Sequence, residues 1–69
     1  MMMTRQEKII LDLVAEGHSS RQIAEKLMIS FHTVETHRKN LRVKFQVRST
    51  MEVLMMVYSK EAKAATIVS

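Results

Sequence analysis

The sequence has 69 residues, which allows one domain at most. It contains no Cys, which excludes disulfide bonds and thiolate metal sites, and its three His residues do not form a metal-ligand set. The formal net charge of +4 lies wholly in residues 31–50, because the segments on either side each sum to zero. No apolar run approaches the roughly 20 residues of a membrane span, and the N-terminus does not resemble a signal peptide. We therefore expect a cytoplasmic domain that binds no metal and contacts no membrane.

Capping chemistry predicts four helices. In three places a Ser or Thr stands three residues before a Glu or Gln, which is the pattern of a capping box, and these pairs begin at Thr4, Ser19 and Ser49. Ser30 can cap a further helix, and Gly17 supplies a left-handed stop for the first one. The predicted helices cover about residues 5–16, 20–28, 31–45 and 50–63.

These helices predict an all-α domain over residues 1–69, with a core of about 4–60 and a frayed tail at 64–69. The second and third helices are joined by little more than Ile29 and Ser30. Such a tight connection between a short helix and a longer one is typical of a helix-turn-helix. Other helical bundles also have short turns, so the connection favours this unit without defining it.

The third predicted helix carries all of this charge excess except Arg48, which lies just beyond its end, and it has two different faces. At about 100° per residue, Val34, Leu41 and Phe45 form a buried stripe. The helix is roughly 22 Å long, which fits the major groove of B-DNA. The opposite face and the flanks supply candidates for contacts to bases, namely His32, Glu35, Thr36 and Lys39, and to phosphates, namely Ser30, Thr33, Arg38, Arg42 and Lys44.

Several of these residues also have a purely structural interpretation. Thr33 can serve only to start the helix, and Glu35 can pair with Lys39 four residues on. Lys44 can be a solvated charge on the helix surface. His37 lies beside the apolar stripe, where a packed and hydrogen-bonded side chain is the favoured interpretation.

The fourth predicted helix is apolar almost all round. Met51, Leu54, Met55 and Tyr58 form one apolar face, and a second lies on the other side. A domain of this size is too small to cover both faces. The sequence therefore predicts a two-fold homodimer through this helix, with the face that begins at Met51 as the candidate and the choice between the two faces left open. The alternative is an intramolecular core in which Met side chains fill gaps.

The chain resembles the LuxR/FixJ/NarL-type helix-turn-helix, a DNA-binding domain of bacterial response regulators and quorum-sensing receptors. The matching stretches are residues 4–7, 10–19, 23–27, 29–30, 33–37, 40–41, 44–45 and 47, in one register over about 4–58. The resemblance implies a third helix in the major groove and a fourth helix that commonly mediates dimerisation. It implies that the positions of Glu35, Thr36 and Lys39 commonly face bases, with that of His32 sometimes joining, and that this domain needs no cofactor.

Two departures from the pattern of this family bear on function and stability. Glu35 stands where the family usually has Lys or Arg, which implies a different base preference or weaker non-specific binding, because an acid repels phosphates. Gln46 stands where the family usually has Gly. If that position keeps a positive φ, Gln costs about 1 kcal/mol there.

The sequence thus predicts a bacterial transcription regulator that binds double-stranded DNA as a homodimer on two half-sites. RNA polymerase is a further candidate partner. Two alternatives stay open: a promoter-reading domain of a sigma factor, and a helical protein-interaction module that binds no DNA. An enzyme is not expected, because no nucleophile–base pair or paired carboxylates are visible.

Overall fold

The computed structural model describes the backbone of residues 3–68 and the side chains of residues 3–59. Its helices are α1 (Arg5–Ala15), α2 (Ser20–Leu27), α3 (Phe31–Phe45) and α4 (Thr50–Val68). Residues 3–68 contain no strand, so the prediction of an all-α, four-helix domain is confirmed. None of the helices in this part of the chain is long and apolar enough to cross a membrane.

The helices begin where the sequence places their caps. The three predicted capping boxes form at Thr4, Ser19 and Ser49, each with the acid or amide three residues on. In each box two backbone N–H groups that lack a helical partner are satisfied by side chains. Ser30 caps α3 by accepting a hydrogen bond of 2.9 Å from the backbone N–H of Thr33.

Left-handed residues end the first two helices one residue earlier than predicted. Gly17 has φ 97°, as expected, and Met28 has φ 57°. Because Met28 adopts the left-handed conformation, it is the cap of α2 and not its last residue.

The end of α4 differs more from the prediction. The helix continues to Val68, past the predicted end near Lys63 and through most of the predicted frayed tail. The reason is local, since residues 61–65 read Glu-Ala-Lys-Ala-Ala and contain no Gly or Pro to stop a helix. Ser69, the end of that predicted tail, lies outside the described residues.

The core consists of two clusters that begin at adjacent residues of α1. The first joins α1, α2 and α3, and the second joins α1, α3 and α4. Each fully buried aliphatic side chain stabilises the fold by roughly 1.5–3 kcal/mol. The buried members are Ile10, Ile23, Ala24 and Val34 in the first cluster and Leu11, Leu41, Val53 and Leu54 in the second. Because α3 contributes one buried residue to each cluster, its inner side packs against both halves of the core.

The structure divides the apolar surface of α4 differently from the sequence interpretation. Leu54, a predicted dimer residue, is 9% exposed and belongs to the second cluster, against which Tyr58 also packs. Met51, Met55 and Met56 are 63%, 68% and 50% exposed. The apolar face that begins at Met51 is therefore split, because α1 and α3 cover its Leu54 and Tyr58 side.

The cap that ends α3 predicts a stabilising substitution. Gln46 adopts φ 55° and ψ 45°, a conformation that a side chain disfavours. Gln46→Gly should therefore raise the free energy of unfolding by about 0.5–1 kcal/mol, measured by urea denaturation. Gln46→Ala is the control, because it shortens the side chain but keeps the Cβ atom. A glycine variant no more stable than the alanine variant would contradict the argument.

Candidate nucleic-acid interface

The outer face of α3 is polar and open. His32, Thr36 and Lys39 are exposed and Glu35 is half-buried, so the four predicted base-contact residues lie on one face. The face contains a shallow depression of about 470 Å³, lined by His32, Glu35, Thr36, Lys39, Asn40 and Arg42. The mixture of donors, acceptors and a methyl group matches what base edges offer in a major groove.

The first turn of α3 is organised around two hydroxyl groups. Ser30 Oγ lies 2.8 Å from Thr33 Oγ1, in addition to capping the Thr33 N–H. One turn on, Thr36 Oγ1 donates to the carbonyl oxygen of His32 at 3.0 Å, so the Thr36 side chain is held against its own helix. Thr33 therefore takes part in starting the helix, which is the structural interpretation that the sequence offers for it beside a phosphate contact. Its hydroxyl also stands at a helix N-terminus, which favours anions.

A hydrogen-bond network ties the middle of α3 to α2 and α4. Arg38 donates through Nη1 to Ser20 Oγ at 2.6 Å and through Nε to Thr50 Oγ1 at 3.1 Å. Ser20 Oγ donates in turn to Glu35 Oε2. Arg42 Nη1 also donates to Thr50 Oγ1, at 3.4 Å. Ser20 and Thr50 are 7% and 3% exposed, so the network satisfies two buried hydroxyl groups.

This network changes how two predicted site residues are interpreted. Glu35 accepts a hydrogen bond from Ser20. The ion pairs among the side chains of residues 3–59 do not include one between Glu35 and Lys39. Arg38, a predicted phosphate ligand, has two of its five donors committed inside the domain. Sequence reasoning missed Ser20 and Thr50. The available signal was that each directly follows a capping Ser, at a position where capping itself needs no hydroxyl.

Lys44, another predicted phosphate ligand, has a partner in α1. Its Nζ lies 2.6 Å from Glu7 Oε1, and the side chains of Lys44 and Glu7 are 30% and 4% exposed. Burial alone raises the pKa of Glu7, but hydrogen bonds from Lys44 and from the Thr4 backbone, with the charge of Lys44, outweigh it and lower that pKa overall. Lys44 is thus a structural residue in this domain, and its contact with phosphate stays a prediction.

A second polar contact fixes α4 on α1. The Tyr58 hydroxyl donates to Asp12 Oδ1, and Lys8 Nζ lies 3.2 Å from that oxygen and 4.9 Å from the centre of the Tyr58 ring. The hydrogen bond from Tyr58 is the main reason that the pKa of Asp12 is lowered. Burial, followed by the contact with Asp12, raises the pKa of Tyr58. Tyr58 is therefore engaged within the domain, although the sequence places it on a predicted dimer face.

The chain is similar to a family of regulators. The family described as "Bacterial regulatory proteins, luxR family" matches residues 1–57. The chain is 42% identical over 52 residues to the uncharacterized response regulatory protein YgeK of Escherichia coli K12, and 46% identical over 48 residues to the transcriptional regulatory protein MctR of Rhizobium johnstonii. It is 34% identical over 59 residues to the oxygen regulatory protein NreC of Staphylococcus aureus.

These alignments cover most of this chain but little of the relatives. They include 75%, 70% and 86% of the present sequence, respectively. They include only 35%, 22% and 27% of YgeK, MctR and NreC, so the chain spans about a third or less of each protein.

The ion pair between Lys44 and Glu7 predicts a loss of stability when the cation is removed. Lys44→Met keeps an apolar stem but leaves a buried carboxylate without its charged partner, which should lower the free energy of unfolding by about 1–3 kcal/mol at neutral pH. Lys26→Met, on the exposed surface of α2, is the charge-matched control and should change stability by less than about 0.5 kcal/mol.

The same pair predicts how stability depends on pH. The pKa of Glu7 is lower in the folded state, so its contribution is present above the ordinary Glu pKa of about 4.3 and is lost as the pH falls through the folded-state value. Urea denaturation at a series of pH values should show that wild type loses more stability on acidification than Lys44→Met. Parallel pH profiles for the two proteins would contradict this assignment.

Proposed function

Because the chain belongs to the luxR family of bacterial regulatory proteins, we propose that it binds double-stranded DNA sequence-specifically, with α3 in the major groove. The family is a DNA-binding domain of transcription regulators and not an enzyme. The observation that carries the proposal is the open polar face of α3, where four side chains that can bond to base edges lie together. The opposite side of the helix is buried in the core.

Each residue of this face has a specific chemical capacity. Lys39 can donate to O6 or N7 of guanine, and Glu35 can accept from the N4 amino group of cytosine. Thr36 is held by its bond to the His32 carbonyl, which leaves its methyl group available for the methyl group of thymine. His32 stands on the exposed first turn of α3, where recognition helices commonly meet base edges.

Phosphate contacts are proposed for the start of α3 and for one flank. Ser30 and Thr33 combine hydroxyl groups with the positive end of the helix dipole. Arg42 lines the depression and spends one donor on Thr50, so four of its five donors remain for phosphate oxygens. Arg38 and Lys44 are weaker candidates, because both already have partners inside the domain.

We also propose that the domain forms a homodimer through the exposed side of α4. Met51, Met55 and Met56 present apolar surface that the described part of the chain leaves open. Next to it, a depression of about 360 Å³ is lined by Ala15, Leu54, Met55, Tyr58 and Ser59. A second copy related by a two-fold axis would cover this surface and would double the phosphate contacts.

The family match favours this function over the two alternatives from the sequence. A sigma-factor domain would need no homodimer, and an interaction module would bind no DNA. Selection from random duplexes should yield a site with two-fold symmetry, bound more weakly as salt is raised. An asymmetric site bound by a monomer would support the sigma-factor alternative. Contact with RNA polymerase and a cytoplasmic location stay predictions.

Lys39 provides the direct test of base reading. Lys39→Ala should reduce the preference for the selected site over unrelated duplexes by about 1–3 kcal/mol, because it removes a base contact. Lys26→Ala removes the same charge from the surface of α2. It should change the affinity for the selected site and for unrelated duplexes by the same factor, so that discrimination is unchanged. Affinities are measured by fluorescence anisotropy at one fixed salt concentration. If discrimination survives in Lys39→Ala, Lys39 does not read a base.

Met55 provides the test of the dimer. Met55→Glu puts a charge on exposed surface of α4 and should shift the protein to monomers in sedimentation equilibrium, with its helix content unchanged. Leu54→Glu does not serve this purpose, because Leu54 is buried in the monomer core. Met28→Glu is the matched control, since Met28 is a 92% exposed Met at the end of α2. A Met55→Glu protein that still sediments as a dimer would overturn the assignment.

A further inference from the structure

One buried hydroxyl group lies between two oppositely charged side chains of α3. Ser20 is the first residue of α2 and is 7% exposed. Its Oγ receives a hydrogen bond of 2.6 Å from Arg38 Nη1 and is hydrogen-bonded to Glu35 Oε2. Glu35 and Arg38 are three residues apart, so the hydroxyl group bridges one turn of the helix on the side next to its open face.

The chemistry of the three groups fixes the direction of both hydrogen bonds. A guanidinium group has donors only, so Ser20 Oγ must accept from Arg38. The hydroxyl group has a single hydrogen, which is then free to point to the carboxylate of Glu35. Arg38 is itself held from the far side by Thr50, a 3% exposed residue of α4. The order Thr50, Arg38, Ser20, Glu35 therefore runs through three helices and ends on the face that α3 presents.

We propose that Ser20 is a positioning residue that holds the carboxylate of Glu35 in place to accept from the amino group of a cytosine. This inference rests on the proposed DNA binding and deepens it. A free glutamate side chain loses conformational entropy when it is fixed. Ser20 restricts Glu35 before DNA arrives, so less of this cost falls on binding. Ser20 occupies only Oε2 of Glu35. Glu35 Oε1 has no hydrogen-bond partner among residues 3–59, and it is the oxygen that accepts the hydrogen bond from the cytosine.

Arg38 has two roles in this arrangement. It orients the hydroxyl hydrogen of Ser20 towards Glu35, and it places a positive charge one hydroxyl group away from the carboxylate. An acid on a helix that approaches phosphates is repelled by them, and a nearby fixed cation offsets part of that repulsion. Ser20 thereby couples the selectivity of Glu35 to the packing of α2 and α4.

The test is a double-mutant cycle read as base discrimination. Site selection with wild type defines the position where cytosine is preferred, and affinities are then measured for that duplex and for its three single-pair variants. Glu35→Ala should lose about 5–50-fold of the discrimination at that position. Ser20→Ala should lose roughly 3–10-fold there and keep the salt dependence of wild type, since no phosphate contact is removed. In the Glu35→Ala background, Ser20→Ala should have no further effect on discrimination.

Conservative variants separate positioning from folding. Ser20→Thr keeps the hydroxyl group and should keep the discrimination of wild type within about twofold. If Ser20→Ala does not fold, as judged by circular dichroism, Ser20→Cys replaces it, because a thiol of similar shape donates only weakly. Ser20→Cys should also lose discrimination at the cytosine position.

Three outcomes would overturn the proposal, and they are distinguishable. If Ser20→Ala, or Ser20→Cys where it is used, discriminates as wild type does, Ser20 does not position Glu35, while the proposed DNA binding stands. If Glu35→Ala keeps the full preference, Ser20 holds the carboxylate away from the bases. If wild type binds no duplex in a salt-dependent way, the proposed function fails and the role of Ser20 fails with it.

Discussion

The position of α3 depends on two buried side chains that enter different halves of the core. Val34 packs with α1 and α2, and Leu41 packs with α1 and α4. These residues are seven positions apart, which is about 10 Å along the helix, so they fix both the tilt of α3 and its rotation about its own axis. The polar face on the opposite side is consequently presented in one orientation. A surface that contacts base edges needs a fixed orientation, because the hydrogen bonds are lost when donors and acceptors are displaced.

The charge excess of α3 is divided between stability and the proposed DNA contact. Lys44 pairs with buried Glu7, and Arg38 spends two donors on Ser20 and Thr50. These contacts tie α3 to the other three helices at its middle and at its end. Lys39 and Arg42 remain on the open face. A count of cations in the sequence therefore overstates the number available to a polyanion.

Local signals in the sequence predict the helices well, but they do not predict contacts between residues that are far apart in the chain. A capping box needs two residues three positions apart, so the starts of α1, α2 and α4 are readable from the local sequence. The start of α3 is readable from its capping Ser30. The pair of Ser20 with Glu35 spans 15 residues and that of Lys44 with Glu7 spans 37, and nothing in the local pattern links them.

The faces of α4 show the same limit of local reasoning in apolar residues. The sequence shows that the helix is apolar on two sides but not which side meets α1. The structure resolves this through Tyr58, whose hydroxyl bonds to Asp12 and whose ring lies under Lys8. Once Tyr58 is drawn to α1, Leu54 is buried with it, and the methionines at positions 51, 55 and 56 are left outside. One apolar side of α4 therefore belongs to the domain core, and the other is the exposed side through which the homodimer is proposed.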